Sequence, residues 1–257
     1  MKFLRRIEMP WALVSGFAFF AAWQIAVVVL KVPPYLLPTP TAIIADMIKH
    51  WSLLSQHALV TLSEIGLGFL VSLAIAMPLA VLFTYSRIFE KLFYPLIVGT
   101  QTIPKVAVAP LFLVWFGFGL TPKIIIVTLM TFFPIVINAV VGLKSLNFQT
   151  VYLAQSMGAS AWQVFWHFRL PNALPSIFAG LKVASVLAVI GAIVAEFVGA
   201  DSGLGYLIVV AATDQNVTRQ FAAIAFLSAV GILFFWFVGF LERSLLPWHA
   251  SIRRDEK

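Results

Sequence analysis

Long uncharged stretches of apolar residues constrain this chain more than any other feature. Of its 257 residues, 61% are hydrophobic and only 11% are charged, whereas a soluble domain carries about 25% charged residues. A membrane-spanning helix needs about 20 mostly apolar residues, and these stretches lack the alternation of barrel strands. We therefore predict an all-α integral membrane protein with six transmembrane helices in one domain (1–257), spanning residues 10–30, 57–83, 94–120, 122–143, 177–199 and 221–241.

Lysine and arginine are distributed unevenly between the two sides of this predicted bundle. An even number of spans places both termini on one side, and 12 of the 17 basic residues fall there. Because cytoplasmic loops carry the excess of Lys and Arg, we predict that both termini are cytoplasmic. We expect the first apolar stretch to be retained, since it is longer than a typical signal h-region and no small-residue cleavage site follows it; a cleaved signal is the alternative.

The segment 144–176 is a cytoplasmic loop under this topology, yet it is rich in aromatic residues. Gly158 is expected to divide it into two helical pieces, and Ser160 with Gln163 forms a capping-box pattern. Trp162, Phe165 and Trp166 then share one helical face, and Pro171 is expected to end the helix. Such a face must be buried in lipid headgroups, in the protein's own bundle or in a partner. Periodicity alone does not distinguish an interfacial helix lying on the membrane from a docking helix.

The same segment resembles the cytoplasmic signature of ABC-importer permeases. That signature is Glu-Ala-Ala, three residues, Gly, nine residues, Ile, one residue and Leu-Pro. Here Ala154, Gly158 and Leu170–Pro171 match it, whereas other positions depart from it, namely Tyr152, Leu153 and Phe168. Segments 103–123, 132–143, 195–208 and 245–249 are similar to the nitrate/sulfonate/taurine branch of these permeases, and the resemblance covers most of the chain from about residue 61 onward.

The resemblance implies that the membrane path and ATP hydrolysis belong to different subunits. It predicts cytoplasmic coupling helices between helices 4 and 5, a homodimer of this chain, two cytoplasmic ATPase subunits and an extracytoplasmic solute-binding protein, in a prokaryotic cytoplasmic (inner) membrane. ATP and Mg would be bound by the ATPase, and this chain would bind no cofactor. The residues expected to contact the ATPase are Tyr152, Ala154, Gly158, Ala159, Ser160, Trp162, Phe165, Leu170 and Pro171.

Polar residues inside the predicted spans are candidates for the translocation path, because such residues are costly in lipid and usually face a cavity or a partner. The candidates are Gln101, Lys105, Asn138, Ser185 and Glu196. Lys105 follows Pro104, and broken helices often line substrate paths; a structural ion pair is its alternative. For Asn138 we expect an interhelical hydrogen bond. Glu64 could equally be an interfacial side chain that reaches outward.

Four small residues recur at intervals of four before Glu196, which allows close helix approach. These residues are Gly180, Ala184, Ala188 and Ala192. Packing within the chain would explain them. The resemblance favours the central interface of a permease dimer, with Glu196 near the outer gate.

The chain lacks the residues that several other functions require. It has no cysteine, no G-x-x-x-x-G-K-[ST] phosphate-binding loop and no histidine pair at metal-ligand spacing. These absences disfavour an enzyme, and the resemblance implies a transport subunit. In a membrane protein the net charge of +7 reflects Lys and Arg on cytoplasmic loops, so we predict no nucleic-acid partner. By resemblance its solute would be nitrate, a sulfonate or taurine; a planar pyrimidine or flavin is the alternative. A self-contained secondary transporter that uses Glu64, Lys105 and Glu196 is a further, weaker alternative.

Overall fold

The computed structural model describes residues 2–247, with side chains from residue 11 onward except that of Ala12. All regular elements in this range are helical. They are α1 (Lys2–Val29), α2 (Pro40–Lys49), α3 (Trp51–Tyr85), α4 (Arg87–Gly99), α5 (Lys105–Phe116), α6 (Leu120–Lys144), α7 (Phe148–Ser156), α8 (Ala161–Val164), α9 (Leu170–Gly199), α10 (Leu204–Thr213) and α11 (Val217–Leu245), with a 3₁₀ turn at Thr100–Thr102 and a π-helical turn at Phe165–Arg169.

Four described stretches are long and apolar enough to cross a membrane: Trp51–Tyr85, Leu120–Lys144, Ala161–Gly199 and Val217–Leu245. The pair α4–α5 would supply a fifth if it forms one bent span, and the described apolar part of α1 is shorter, Leu13–Val29. The prediction of an all-α membrane protein is confirmed for residues 2–247. The count of six spans and the cytoplasmic position of both termini remain predictions.

The third predicted span, 94–120, is not one continuous helix. The helices α4 and α5 meet at an angle of 98°. Ile103 and Pro104 between them have extended backbone angles, and Pro104 has no N–H to continue a helical ladder. The chain therefore turns sharply at this point, and the second half of the segment starts again at Lys105.

Pro171 does not end the second helix of the 144–176 loop, contrary to the sequence prediction. The helix runs on from α8 through the π-helical turn into α9, and Pro171 lies in the first turn of α9. In the π turn the N–H of Leu170 donates to the carbonyl of Phe165, five residues back. This altered hydrogen-bond register accommodates Pro171, which has no N–H to donate. Part of the predicted 144–176 loop is therefore the beginning of a membrane-spanning helix.

The centre of the bundle is formed by α3, α6 and α9. Gly180 allows α9 to approach α6 closely, because a Cβ atom there would lie 2.8 Å from the carbonyl oxygen of Pro134 and 2.7 Å from Cβ of Asn138. Ala184, Ala188 and Ala192 are fully buried in the same core. These small residues therefore pack within the chain, and a role at a dimer interface remains a prediction.

A bidentate ion pair ties α2 to the start of α11. The Arg219 guanidinium donates from Nε to Asp46 Oδ2 at 2.6 Å and from Nη2 to Asp46 Oδ1 at 3.1 Å. Thr39 caps the start of α2, because its side-chain oxygen accepts from the N–H of Ala42 at 3.2 Å. The Asp46–Arg219 ion pair thus connects α2 to α11.

Candidate functional site

Two features stand out at opposite ends of the long helices, and the first is an apolar surface on α7 and α8. We call it the aromatic face. Its side chains are between 47% and 80% exposed, far more than core residues of a packed domain. They are Phe148, Tyr152, Leu153, Met157, Trp162 and Trp166.

Local backbone chemistry fixes the aromatic face. Gly158 has φ +88, and a Cβ atom added there would have no neighbouring atom within 4 Å, so the turn between α7 and α8 uses a conformation that favours glycine. The N–H of Ala159 donates to the carbonyl of Ala154 at 3.0 Å and closes the end of α7. The predicted capping box is confirmed, because Ser160 Oγ accepts from the Gln163 N–H and Gln163 Oε1 accepts from the Ser160 N–H.

The aromatic rings of α8 and of the π-helical turn form a cluster that continues into the bundle. Trp162, Phe165 and Trp166 contact one another with ring centroids 5.4–6.2 Å apart. Phe165 is half-buried and also contacts Tyr85 at the end of α3. The exposed tryptophans are therefore linked through Phe165 to a membrane-spanning helix.

Arg169, which sequence reasoning did not single out, anchors the π turn to two other helices. Its Nη1 donates to the carbonyl of Leu143 at the end of α6, at 3.2 Å. Its guanidinium also lies 5.1 Å from the ring centroid of Tyr85, a cation–π distance. Lys144 next to Leu143 pairs with Glu90 of α4 at 2.5 Å. These contacts join the π turn to α3 and α6, and the end of α6 to α4.

The second feature is a buried polar cluster at the other end of the long helices. It consists of His57, Thr61 and Glu64 on α3, Lys123 on α6 and Glu196 on α9. Glu64, Thr61, Lys123 and Glu196 are at most 4% exposed. Glu64 and Lys123 form an ion pair of 2.7 Å, so the interpretation of Glu64 as an interfacial side chain that reaches outward is wrong.

Glu196 holds the loop between α9 and α10. One carboxylate oxygen accepts from the Thr61 hydroxyl at 2.7 Å, and the other accepts from the Gly205 N–H. A Cβ at Gly203 would collide with one Glu196 oxygen, and a Cβ at Gly205 would lie 2.7 Å from the other. The two glycines in the GLG sequence are therefore required for this carboxylate to fit against the loop backbone.

The remaining polar groups of the cluster also bind this loop. Thr61 Oγ1 accepts from the Leu204 N–H at 2.8 Å, and His57 Nδ1 accepts from the Gly203 N–H at 2.9 Å. Lys123 Nζ donates to the Ser202 carbonyl at 3.5 Å. The cluster thus clamps residues 202–205 to α3, α6 and α9.

A small cavity of about 330 Å³ opens beside this clamp, lined by Phe118, Lys123 and Asp201 among others. Asp201 lies in the loop and is exposed. The hydrogen bond from the Ser202 hydroxyl, 2.9 Å long, holds the pKa of the Asp201 carboxyl below its usual range. The mouth of this cavity therefore carries an ionised carboxylate at neutral pH.

The predicted path residues do not form one cluster. Gln101 and Lys105 are together at the break between α4 and α5, where Lys105 Nζ donates to Gln101 Oε1 at 2.7 Å, and both are half-buried. Ser185 is buried and donates to the carbonyl of Lys182. Asn138 donates to Pro134 of its own helix at 2.8 Å, so the predicted interhelical hydrogen bond is not present among residues 2–247. Of the five candidates, only Gln101 and Lys105 make a polar pair at an irregular backbone.

The three polar residues of α3 in the cluster follow a helical pattern that a sequence could have revealed. His57, Thr61 and Glu64 are four and three residues apart and therefore share one face. Lys123 carried no such signal, because its partner lies 59 residues away in the chain. Among the described residues no group of three His, Cys, Asp or Glu side chains could hold a metal ion.

Comparison with known proteins agrees with this architecture. Residues 68–247 match the family of binding-protein-dependent transport system inner membrane components. The chain belongs to this family. It is 41% identical over 230 residues to the formylaminopyrimidine transport permease protein of Halalkalibacterium halodurans, covering 89% of this chain and 92% of that protein.

Other relatives carry different solutes in their names. The riboflavin transport system permease protein of Chloroflexus aurantiacus is 38% identical over 259 residues, covering 98% of this chain and 95% of that protein. The taurine transport system permease protein of Escherichia coli is 29% identical over 238 residues, covering 90% and 86%. The chain is thus an ABC-type permease subunit for a small solute, in the prokaryotic inner membrane, and its relatives are transport subunits rather than enzymes.

Proposed function

We propose that this chain forms the membrane path of an ATP-driven importer and that its aromatic face is the docking surface for a cytoplasmic ATPase. The observation that carries this proposal is the exposure of Trp162, at 68%, on the capped helix α8 and of Trp166, at 47%, on the π-helical turn that continues it. Large aromatic side chains in a fixed geometry are typical anchors of protein interfaces. Two copies of the chain would pair with two ATPases and receive solute from a binding protein.

The proposed orientation follows from the same surface. The α7–α8 end of the bundle would be cytoplasmic, and the polar cluster with its loop would lie toward the outer side. ATP binding would bring the two ATPases together and move α7 and α8. Arg169, Phe165 and the Lys144–Glu90 pair would pass that movement to α3, α4 and α6.

For the solute we propose a planar nitrogen heterocycle of the vitamin-precursor type. Its support is the higher identity to the pyrimidine and riboflavin permeases than to the taurine permease, and the exposed aromatic side chains of Trp115, Phe116 and Phe118. The second candidate is a sulfonate, taurine or nitrate, which Lys105 at the α4–α5 break would attract.

An uptake experiment tests both levels of this proposal. Cells that express the chain in its native host, where its partner subunits would be present, are given labelled formylaminopyrimidine, riboflavin or taurine. We expect saturable uptake of one heterocycle that stops when ATP is depleted. ATP-dependent uptake of taurine alone would contradict the proposed heterocyclic solute but would still support an ATP-driven importer. Uptake that survives ATP depletion and stops with a proton ionophore would identify a secondary transporter instead.

A further inference from the structure

A lateral crevice between α9 and α11 ends in a basic pocket. The crevice has a volume of about 610 Å³ and is lined almost entirely by apolar side chains, among them Val186, Ile190, Leu227, Ile232 and Trp236. The pocket has a volume of about 450 Å³ and contains Lys182, Glu242 and Arg243. Phe235 and Trp236 line both, so the crevice and the pocket lie next to each other.

The charges of the pocket favour an anion. Lys182 and Glu242 form an ion pair across the two helices. Arg243 is exposed and makes no ion pair or hydrogen bond within the described residues 2–247. Two cations therefore face one carboxylate, which leaves one positive charge available at the polar end of an apolar crevice.

The crevice has the dimensions of a lipid tail. It follows α11 from Ile224 to Trp236, roughly 18 Å at about 1.5 Å per residue, and one leaflet of hydrocarbon is about 15 Å thick. The pocket lies near the end of α11, the same end of the bundle as α7 and α8. Basic pockets between transmembrane helices on the cytoplasmic side bind anionic lipid headgroups.

We propose that this crevice is a binding site for one anionic phospholipid of the inner leaflet. Its phosphate binds Arg243 and Lys182, and an acyl chain fills the space between α9 and α11. Such a lipid would brace α11 against α9, the helix that is continuous with α8. The assignment to the inner leaflet rests on the proposed function, whereas the site itself does not.

Lipid binding to the purified protein tests this inference without any transport assay. The full chain, kept in mild detergent with the subunits that accompany it, is titrated with phosphatidylglycerol or phosphatidylcholine while bound lipid and melting temperature are recorded. We expect tighter binding of phosphatidylglycerol and a higher melting temperature with it. Arg243→Gln should weaken that binding roughly fivefold, because one basic side chain near a lipid surface contributes on that scale. The matched control, Arg87→Gln, removes an exposed arginine at the same end of the bundle and should leave binding unchanged.

Two results would overturn the proposal. One is equal binding of both lipids, or an equal loss in Arg243→Gln and Arg87→Gln, which would indicate unspecific charge attraction. The other is a finding that a second copy of the chain, rather than a lipid, occupies the crevice. The chain has no cysteine, so Ser228→Cys places a single thiol in the crevice; efficient disulfide dimers in membranes would show that a second copy fills it. If the chain binds no ATPase but still prefers phosphatidylglycerol, the proposed function is contradicted and the lipid site is supported.

Discussion

Glu196 organises the loop between α9 and α10 through contacts that leave no room for a larger neighbour. Its two oxygens bind the Thr61 hydroxyl and the Gly205 N–H, and Gly203 lies directly against it. Because the carboxylate is buried, each lost hydrogen bond to it is expected to cost about 1.5–3 kcal/mol. The loop is therefore expected to be sensitive to single-atom changes.

A pair of glycine variants tests this packing. Gly205→Ala places a methyl group 2.7 Å from a Glu196 oxygen, and we expect it to lower the free energy of unfolding by about 1–3 kcal/mol. Gly66→Ala is the control, because a Cβ there has no atom within 4 Å and alanine favours a helix by about 0.5–1 kcal/mol. Thermal unfolding in detergent should separate the two; equal melting temperatures would contradict the described loop.

The Glu64–Lys123 ion pair gives a second test at this scale. Lys123→Met leaves a buried carboxylate without its cation, and removing one partner of such a pair costs about 3–5 kcal/mol. The double variant Glu64→Met/Lys123→Met removes both charges and should recover at least half of the loss. A double-mutant cycle on the melting temperature measures this. A double variant as unstable as the sum of the single ones would show that the two side chains do not interact.

Single residues differ in how far sequence predicted them. The capping box of Ser160 and Gln163 is a local pattern and was predicted correctly. The sequence left the burial of Glu64 open, because its partner Lys123 lies 59 positions away in the chain. The same holds for Thr61, whose acceptor on Glu196 is 135 positions away.

At the level of elements, the turn between α7 and α8 sets the orientation of the aromatic face. Gly158 adopts φ +88, a value that β-branched residues rarely adopt, and the space around it is open. Gly158→Val should therefore disrupt the turn by backbone strain, at about 1–3 kcal/mol, and abolish ATP-driven uptake while the bundle stays folded. Gly158→Asn, which tolerates positive φ, should retain more activity. Normal uptake in Gly158→Val would rule out the coupling role of this turn.

The break between α4 and α5 is the second element with a functional prediction. If the solute is an anion, Lys105→Met should raise the apparent KM at least about fivefold, the equivalent of about 1 kcal/mol, and Lys105→Arg should restore it. If the solute is a neutral heterocycle, both variants should keep the KM of the original chain. Uptake kinetics in the two variants therefore decide between the two solute classes and assign Lys105 to the path or to a structural role with Gln101.

Helix boundaries at prolines were only partly predictable. Pro104 ends regular structure as expected and the chain bends by 98°. Pro171 was expected to stop a helix, yet it lies in the first turn of α9 because a π-helical turn precedes it. A proline's local effect is fixed by its missing N–H, but whether neighbouring hydrogen bonds shift to accommodate it depends on the packing of Phe165 and Arg169.

For the whole molecule, the apolar stretches predicted the fold class. They did not predict which helices pack against one another. The stripe from Gly180 to Ala192 was expected at a dimer interface; in the structure it is buried in the core of the chain, with Gly180 against α6. In the assembled transporter, we propose, the aromatic face binds an ATPase.

Co-purification tests that claim most directly. The tagged chain is extracted from its host in mild detergent, and the proteins that elute with it are identified and quantified. We predict that an ATPase subunit elutes with the original chain and with the control Trp51→Ala, an exposed tryptophan at the other end of the bundle. It should be lost from Trp162→Ala/Trp166→Ala. An ATPase retained at full yield by that double variant, or absent from the original chain, would contradict the account.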